Sequence, residues 1–318
     1  MPRRRNHSQV AKYFDEQYGI ARRDQLVGSF VTDAELRWRL ETREWRTVLP
    51  SVYALFRGDL ALTQRASAGL LYGGPTSQLT GAVALTLWGL RYAPPAERVT
   101  LLVPTIKRVS SSPGFRIIRS DRLPSGPTEI AGLRVAPVAR AVADAARDLI
   151  DLRTTRAMVT EAVQRQFASL AELTVELTEG PRRGSADLRR AIADVAGGAR
   201  SAPEAELRDL CRTSRILPPV LWNPTLADVD GVRLPTPDGW IDDAGLAIEV
   251  DSKEFHASPE LWAKTLHRHN QLTAAGVVVL HVTPGDIRRD PGAVLRLIEA
   301  TYLDLLLAGR PHRARLIP

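Results

Sequence analysis

The chain has 318 residues, of which 44% are hydrophobic and 25% charged, a composition typical of a globular protein with two or three domains. Its one cysteine, Cys211, excludes an intrachain disulfide and a zinc site built from several cysteines. The formal net charge of +7 favours a polyanionic partner. No apolar run long enough to span a membrane and no secretory signal is recognisable, so we expect a cytoplasmic protein without a membrane partner.

The first 60 residues predict three short helices followed by a strand or hairpin. Helices are expected over 8–17 with Gly19 as C-cap, over 21–27, and from the capping box Thr32-Asp-Ala-Glu35 to about Arg43, with the strand or hairpin over 45–55. This order is that of a winged helix-turn-helix, which is a DNA-binding fold.

The third predicted helix has a basic face. Arg37, Arg39 and Arg43 lie on it, and Arg46 follows at its exit. In a winged helix-turn-helix this helix enters the major groove, where arginines bind guanine edges and backbone phosphates. The alternative is a solvated basic face on a module that binds a protein partner, and the sequence favours DNA.

Four segments of the first 150 residues share a diffuse pattern with a known family. They are GIARRDQL at 19–26, RTVLPSVY at 46–53, LTGAVALTLWG at 79–89 and LRVAPVARAVAD at 133–144. In these segments the chain resembles the type IV abortive-infection (AbiEi-like) antitoxins, which often have Ser-His at Thr80-Gly81 and Gly at Ser51. The resemblance implies a DNA-binding regulator, with a cognate toxin or another protein as a further partner.

Residues 61–198 predict an α+β middle domain. Helices are expected over 63–71, 77–87, 138–149 and 154–167, and strands over 99–103 and 115–119. The sequence shows no phosphate-binding loop, dinucleotide fingerprint or nucleophile elbow here. We therefore expect this domain to position its neighbours and to contact DNA backbone or a partner.

The third domain, 199–318, contains a strand with acids where a buried strand carries hydrophobes. Glu249, Asp251 and Lys253 follow one another at a spacing of two, so they share one face of a strand. Asp238 lies eleven residues before Glu249, enough for a short strand, a turn and a return that brings the two acids together. Such carboxylates repel unless a cation or hydrogen bonds offset them, and hard oxygen ligands suit Mg²⁺ or Mn²⁺.

Pro237-Asp238 followed by Glu249-Val-Asp251-Ser-Lys253 resembles the PD-(D/E)xK nuclease superfamily. The pattern is similar to its branch of very-short-patch-repair-like endonucleases, the domain of unknown function 559, in which a histidine follows, here His256. The resemblance covers about 200–300 and implies a Mg²⁺- or Mn²⁺-dependent endonuclease. It implies Asp238, Glu249 and Asp251 as metal ligands, with Lys253 or His256 orienting water or neutralising charge.

The chain departs from this pattern at two points. Asp251 stands where the superfamily has its lysine if Glu249 is the variable acid, whereas the motif is complete through Lys253 if Asp251 is that acid. Ser252 stands where the branch has glycine. A catalytically inactive domain that only binds DNA therefore stays open as an alternative.

Several residues of this domain have an ordinary structural explanation. Ser201-Ala-Pro-Glu204 is a helix-capping sequence, and the nuclease resemblance also assigns a glutamate there to the active site, so both roles of Glu204 stay open. Pro-Asp-Gly at 237–239 is a common turn. For His267 and His281 we favour hydrogen-bonded histidines without a catalytic role.

The remaining elements of the third domain complete the order α-β-β-β-α-β of the nuclease core. Strands are expected over 220–227, 232–241 and 245–251 with a hairpin turn at Asp230-Gly231, then a helix over 259–275, a strand over 277–282 and helical structure over 286–307.

Together these patterns predict an α/β multidomain protein. It consists of a winged helix-turn-helix (1–60), an α+β antitoxin-like middle domain (61–198) and a restriction-endonuclease-like domain (199–318). The predicted function is a Mg²⁺-dependent DNA endonuclease. The alternatives are a non-enzymatic transcriptional regulator or antitoxin with a degenerate nuclease-like domain, and a nuclease that cuts RNA with the same site.

Overall fold

The computed structural model of the chain describes residues 7–149, 151–251, 259–309 and 311–317. The chain divides into two compact units, Met1–Ile192 and Ala193–Pro318. Both units combine helices with β-sheets, which confirms the α/β multidomain class. None of the helices in the described residues is long and apolar enough to cross a membrane.

The first unit begins with three helices and a small antiparallel sheet of order β1-β3-β2. In chain order these elements are α1 His7–Gln17, β1 Ile20–Arg22, α2 Arg23–Gly28, α3 Asp33–Glu41, β2 Arg46–Leu49 and β3 Val52–Ala54. The Thr32 hydroxyl accepts the Glu35 amide at 3.1 Å and caps α3. The helix predicted over 21–27 begins later, because Ile20 and Ala21 are fully buried and pair with β3.

The rest of the first unit is built on a five-stranded mixed sheet of order β6-β5-β4-β8-β7. Its elements are α4 Leu62–Gly73, β4 Gln78–Thr80, α5 Gly81–Leu87, β5 Val99–Pro104, β6 Phe115–Ser120, β7 Thr128–Ile130, β8 Leu133–Val135, α6 Val138–Asp148, α7 Leu152–Gln164 and α8 Leu170–Glu179. Helix α9, Ala186–Ala196, begins in the first unit and ends in the second. The helix predicted over 77–87 is wrong for its first residues. Leu79 is fully buried and β4 pairs with strands on both sides, so tertiary pairing overrides the helical pattern there.

A buried ionic cluster ties α6 to this sheet. The Asp144 carboxylate accepts the Thr80 hydroxyl at 2.7 Å and Arg140 Nε at 2.9 Å. Arg140 and Asp144 expose only 5% and 4% of their side chains. At this depth an ion pair depends on complete hydrogen bonding, because an isolated charge would be very costly.

The second unit contains a four-stranded sheet of order β14-β13-β12-β9 and a three-stranded sheet of order β11-β10-β15. Its elements are α10 Ala202–Cys211, β9 Leu221–Trp222, β10 Leu226–Ala227, β11 Arg233–Leu234, β12 Gly239–Ile241, β13 Leu246–Val250, α11 Pro259–Ala274, β14 Val278–Val282, α12 Pro284–Arg289, α13 Pro291–Ala308 and β15 Arg315–Leu316. Strand β13 pairs antiparallel with β12 and parallel with β14.

Two predicted strands of this unit are each interrupted. The strand expected over 220–227 becomes β9 and β10 in different sheets, because Asn223 adopts a φ of 51° and Pro224 follows it. The strand expected over 232–241 becomes β11 and β12, because Pro235 and Pro237 have no amide hydrogen for a ladder. The hairpin at Asp230-Gly231 is confirmed between β10 and β11.

The four-stranded sheet is buried on both faces, and β13 contributes to both. Leu246 and Ile248 join a core formed with α10, α12 and α13. Ala247 points to the other face, where it packs with Trp240 and with Leu272 of α11. Since side chains alternate along a strand, Glu249 shares the α11 face with Ala247.

Candidate functional site

The acids predicted from the sequence meet at one end of the four-stranded sheet. The register pairs Gly239 with Ile248, so Asp238 lies one position further along, opposite Glu249. The Asp238 carboxylate accepts the amide hydrogen of Val250 at 2.8 Å, which fixes it against β13. The β12–β13 hairpin therefore brings Asp238 and Glu249 together.

Both carboxyl groups have strongly raised pKa values. Burial raises the pKa of Asp238 to about 6, the negative charge of Glu204 adds to this, and the Val250 hydrogen bond opposes it. Burial raises the pKa of Glu249 to about 7, the charge of Asp238 adds to this, and Arg268 opposes it. Perturbed pKa values of this kind concentrate at functional sites, although structural networks also produce them.

Glu204 caps a helix and also lies close to Asp238. Its amide donates to the Ser201 hydroxyl at 3.2 Å, so this segment caps α10 as predicted. Its carboxylate accepts the Arg200 amide at 2.9 Å and lies near enough to raise the pKa of Asp238. Capping therefore holds Glu204 at the edge of the acidic cluster.

Asp251 contacts a pair of histidines that comes from other elements. Asp251 Oδ2 lies 2.6 Å from Nδ1 of His281, and Nε2 of His281 lies 3.0 Å from Nδ1 of His269. The two rings are stacked with centroids 5.0 Å apart. The hydrogen bond that His281 donates to the Asp251 carboxylate raises the pKa of His281.

From the sequence no catalytic role is expected for His281, and His269 has no individual role. A signal exists in β14, where His281 is the one polar residue of the otherwise apolar segment VVLHV at 278–282. The parallel register pairs His281 with Glu249, so both point to the α11 face. This pairing is between distant segments, and local spacing alone does not reveal it.

Arg268 of α11 brings a positive charge to the acidic residues and is not among the site residues expected from the sequence. Its Nη2 lies 3.6 Å from Glu249 Oε1 and donates to the Thr236 carbonyl at 3.1 Å. Leu272 lies one helical turn further on and is buried over the sheet. That packing places Arg268 over the acidic end of β13.

The chemistry of these side chains fits a hard divalent cation, because carboxylate oxygens are its preferred ligands. Asp238 and Glu249 also lack enough nearby positive charge to keep their pKa values in the ordinary range. Within the described ranges, however, no group of three or more His, Cys, Asp or Glu side chains is arranged to hold a metal ion. Lys253 and His256 lie outside the described residues.

The arginines predicted to bind DNA have different surroundings in the first unit. Arg39 exposes 12% of its side chain and pairs with Glu35 at 2.9 Å and Glu44 at 3.5 Å. Its guanidinium lies 4.6 Å from the centre of the Trp45 ring. Arg37 is exposed and donates to the Asp33 carbonyl at 3.4 Å.

Arg43 and Arg46 line an open pocket of about 600 Å³ beyond the end of α3, which Arg57 also lines. The structure therefore separates the four predicted arginines. Two of them border one concavity, while Arg39 is engaged in contacts within the unit.

Comparison with known sequences gives relatives from one organism. The chain is 30% identical over 255 residues to uncharacterized protein Rv2248 of Mycobacterium tuberculosis strain ATCC 25618 / H37Rv. It has the same identity to uncharacterized protein MT2308 of Mycobacterium tuberculosis strain CDC 1551 / Oshkosh, and in both cases the match covers 79% of this chain and 84% of the relative. The chain belongs to the family of these two proteins.

Other comparisons add less. No family model matches the chain. Among solved structures it is similar to the RV2827C protein from Mycobacterium tuberculosis, with a TM-score of 0.41 and 15% sequence identity over 68% of this chain and 87% of that one.

Proposed function

We propose that the chain is a DNA-binding protein whose second unit is a Mg²⁺- or Mn²⁺-dependent endonuclease of the PD-(D/E)xK type. The observation that carries the proposal is the pair Asp238 and Glu249, two largely buried acids that the pairing of β12 with β13 places opposite each other. Glu204 adds a third carboxylate at the edge of this cluster. Such a concentration of negative charge is expected where a cation binds.

Asp238 and Glu249 are the carboxylates that would hold the ion in this proposal. A bound divalent cation would lower the pKa of a water molecule and stabilise negative charge on the phosphate. One Asp251 oxygen is engaged by His281, which leaves its other oxygen for the ion. Arg268, at 3.6 Å from Glu249, brings positive charge to the same end of the sheet, where it would attract the phosphodiester.

The two histidines supply a route for a proton. If the Asp251 carboxylate accepts Nδ1–H of His281, then Nε2 of His281 accepts Nδ1–H of His269. Nε2 of His269 is then a hydrogen-bond acceptor and would take a proton from the attacking water. Lys253 and His256 are the sequence-based candidates for orienting the same water.

The same proposal assigns a role to each of the three domains expected from the sequence. Residues 1–60 would be a winged helix-turn-helix that binds DNA through Arg37 of α3 and through Arg43 and Arg46, which follow that helix. Arg39 of α3 would support this surface through its contact with the Trp45 ring. Residues 61–198 would be the antitoxin-like middle domain and 199–318 the nuclease-like domain. A cytoplasmic location belongs to the same proposal, since DNA is the substrate.

A second candidate is a non-enzymatic transcriptional regulator or antitoxin that binds DNA, a cognate toxin or another protein. It is favoured by one observation, namely that the part of the chain the structure describes assembles no set of three metal ligands. In that case the acids of β13 would be a relic of a nuclease site.

Incubation of the purified protein with supercoiled plasmid, with and without Mg²⁺ or Mn²⁺, tests the first candidate. We expect metal-dependent nicking by the wild type and by Asp304→Asn, a matched control on the exposed side of α13, and none by Asp238→Asn. Structured RNA as a parallel substrate distinguishes a DNA from an RNA nuclease. Absence of cleavage on both substrates, together with no metal-dependent rise in melting temperature, would favour the regulator.

A further inference from the structure

A pocket at the end of α3 gathers positive charge from three separate segments. Arg43 follows α3, Arg46 begins β2 and Arg57 follows β3, and all three line one open cavity of about 600 Å³. Trp45 and Phe56 contribute apolar wall. The cavity therefore depends on the tertiary fold of the first unit rather than on a run of basic residues.

The charges of these three arginines are not compensated within the described part of the unit. Arg39 is paired with two glutamates, whereas no carboxylate of the described residues pairs with Arg43, Arg46 or Arg57. Arg57 donates to the Thr42 carbonyl at 3.4 Å, a neutral acceptor. Like charges that converge on a cavity repel each other, and an anion would offset that repulsion.

Arg46 provides a second, independent indication of a missing acceptor. Its Nε is buried from solvent and has no hydrogen-bond partner. An unsatisfied buried donor destabilises a fold, and such groups are rare in proteins. Because water does not reach this nitrogen, a ligand oxygen would satisfy it only once the Arg46 side chain turned toward the cavity that it lines.

The backbone conformation of Arg43 is unusual for a residue other than glycine. Arg43 adopts a φ of 56°, and its amide donates to the Leu40 carbonyl at 3.1 Å at the end of α3. Glycine is the residue that adopts this conformation at least cost. Other non-glycine residues of the chain also have positive φ, so the conformation is informative only together with the uncompensated charge.

We propose that this arginine pocket binds a phosphate group of a nucleic acid or a nucleotide. The planar fork of an arginine matches the oxygens of phosphate, and three such forks converge here. The proposal does not depend on nuclease activity in the second unit. It adds Arg57 to the residues that contact the ligand and leaves Arg39 as a residue that supports the pocket wall through Trp45.

The test uses the full-length chain and three probes, which are pyrophosphate, ATP and a fluorescently labelled DNA duplex. At constant ionic strength, we expect pyrophosphate to raise the melting temperature of the wild type. Arg43→Gly is expected to melt at the same or a higher temperature without ligand, because it relieves the left-handed backbone. It should nevertheless lose the pyrophosphate-dependent rise, whereas Arg43→Lys should retain part of it.

Duplex binding measured by fluorescence anisotropy identifies the source of the phosphate. The double variant Arg43→Gln/Arg57→Gln is expected to lower the slope of log K against log salt by about two, since each phosphate contact contributes about one. Arg108→Gln/Arg189→Gln removes the same charge from exposed positions outside the pocket and should leave the slope unchanged. Dependence of duplex binding on Arg43 and Arg57 assigns a DNA phosphate, and dependence of ATP binding alone assigns a nucleotide.

The proposal would be overturned if the wild type bound none of the three probes, or if Arg43→Gly and Arg43→Gln/Arg57→Gln bound them as well as the wild type. Failure of the proposed nuclease would look different, because plasmid nicking would be absent while phosphate binding by the first unit persisted.

Discussion

Asp238 faces Glu249 across the β12–β13 pair, and burial together with the charge of Asp238 raises the pKa of Glu249 to about 7. Near neutral pH, the negative charge of Asp238 therefore disfavours ionisation of Glu249. The two side chains lie opposite each other because a short hairpin sets the register of β12 and β13. Their proximity is expected to affect several measurable properties of the second unit.

Stability should decrease as pH rises through this range. The folded pKa values of about 6 for Asp238 and about 7 for Glu249 exceed ordinary carboxyl values, so the folded state holds more protons than the unfolded state. The stabilising contribution of these two carboxyl groups is fully present below the ordinary carboxyl range and is lost as pH rises through the folded pKa values of about 6 and about 7. Denaturant unfolding between these limits should show a fall of several kcal/mol in the free energy of unfolding, which Glu249→Gln reduces and the exposed control Asp304→Asn does not.

Removal of charge at the acidic cluster should separate metal binding from folding. Asp238→Asn and Asp251→Asn keep side-chain size, and both should abolish calorimetric binding of Mn²⁺. Asp238→Asn should keep or raise the metal-free melting temperature above neutral pH, because it removes a repulsive charge beside Glu249. Wild-type protein that shows neither Mn²⁺ heat nor a metal-dependent shift would contradict the metal site.

Lys253 should act on cleavage rather than on metal binding. In the nuclease pattern its ammonium lies beside the scissile phosphate, so Lys253→Ala should lower the cleavage rate by orders of magnitude with Mn²⁺ affinity nearly intact. Lys253→Arg should rescue poorly, since a planar fork does not replace a compact charge. Full activity of Lys253→Ala with loss in His256→Ala would transfer the role to the histidine.

The histidine pair offers an independent readout of the same site. His269→Ala should lower the turnover rate while the melting temperature changes little, because the His269 side chain lies at the end of the hydrogen-bonded chain. His281→Ala should have the same kinetic effect, since it detaches His269 from Asp251. Nitrogen NMR of the imidazoles should report a fixed tautomer of His269 in the wild type. If His281→Ala abolished the fixed tautomer of His269 but left the cleavage rate unchanged, the histidine pair would have only a structural role.

Arg39 and Arg43 should behave differently although the sequence grouped them. Arg39→Ala should lower the free energy of unfolding by about 1 kcal/mol, because it removes a largely buried cation from two glutamates and from the Trp45 ring. Arg43→Ala should leave stability nearly unchanged and weaken duplex binding. Urea denaturation and anisotropy on the same preparations compare the two, and equal loss of stability in both would contradict this division.

Contacts between residues close together in the sequence could be predicted, and contacts between distant segments could not. The approach of Asp238 to Glu249 could be predicted because a hairpin spans it, and the cap formed by Ser201 and Glu204 is equally local. The contacts of His281 and Arg268 could not, because they require parallel pairing of β13 with β14 and the packing of α11.

The interrupted strands show a related limit of local patterns. Apolar alternation over 220–227 and 232–241 predicts two continuous strands, but Asn223 and the prolines divide each of them between two sheets. Similarly, Leu79 has a helical neighbourhood in sequence and becomes a central strand residue, because its partners come from β5 and β8.

Strand β13 has a consequence for how this protein tolerates insertions and deletions. Leu246 and Ile248 fill one core while Ala247 and Glu249 face α11, so every residue of the strand has an assigned side. Gain or loss of a single residue in the turn at 242–245 would exchange the two sides, placing a carboxylate in the apolar core and a leucine among the acids. A shift of register in β13 would therefore remove Glu249 from the acidic residues only at the cost of the fold. Only substitutions at individual positions could inactivate the site in descendants that still fold.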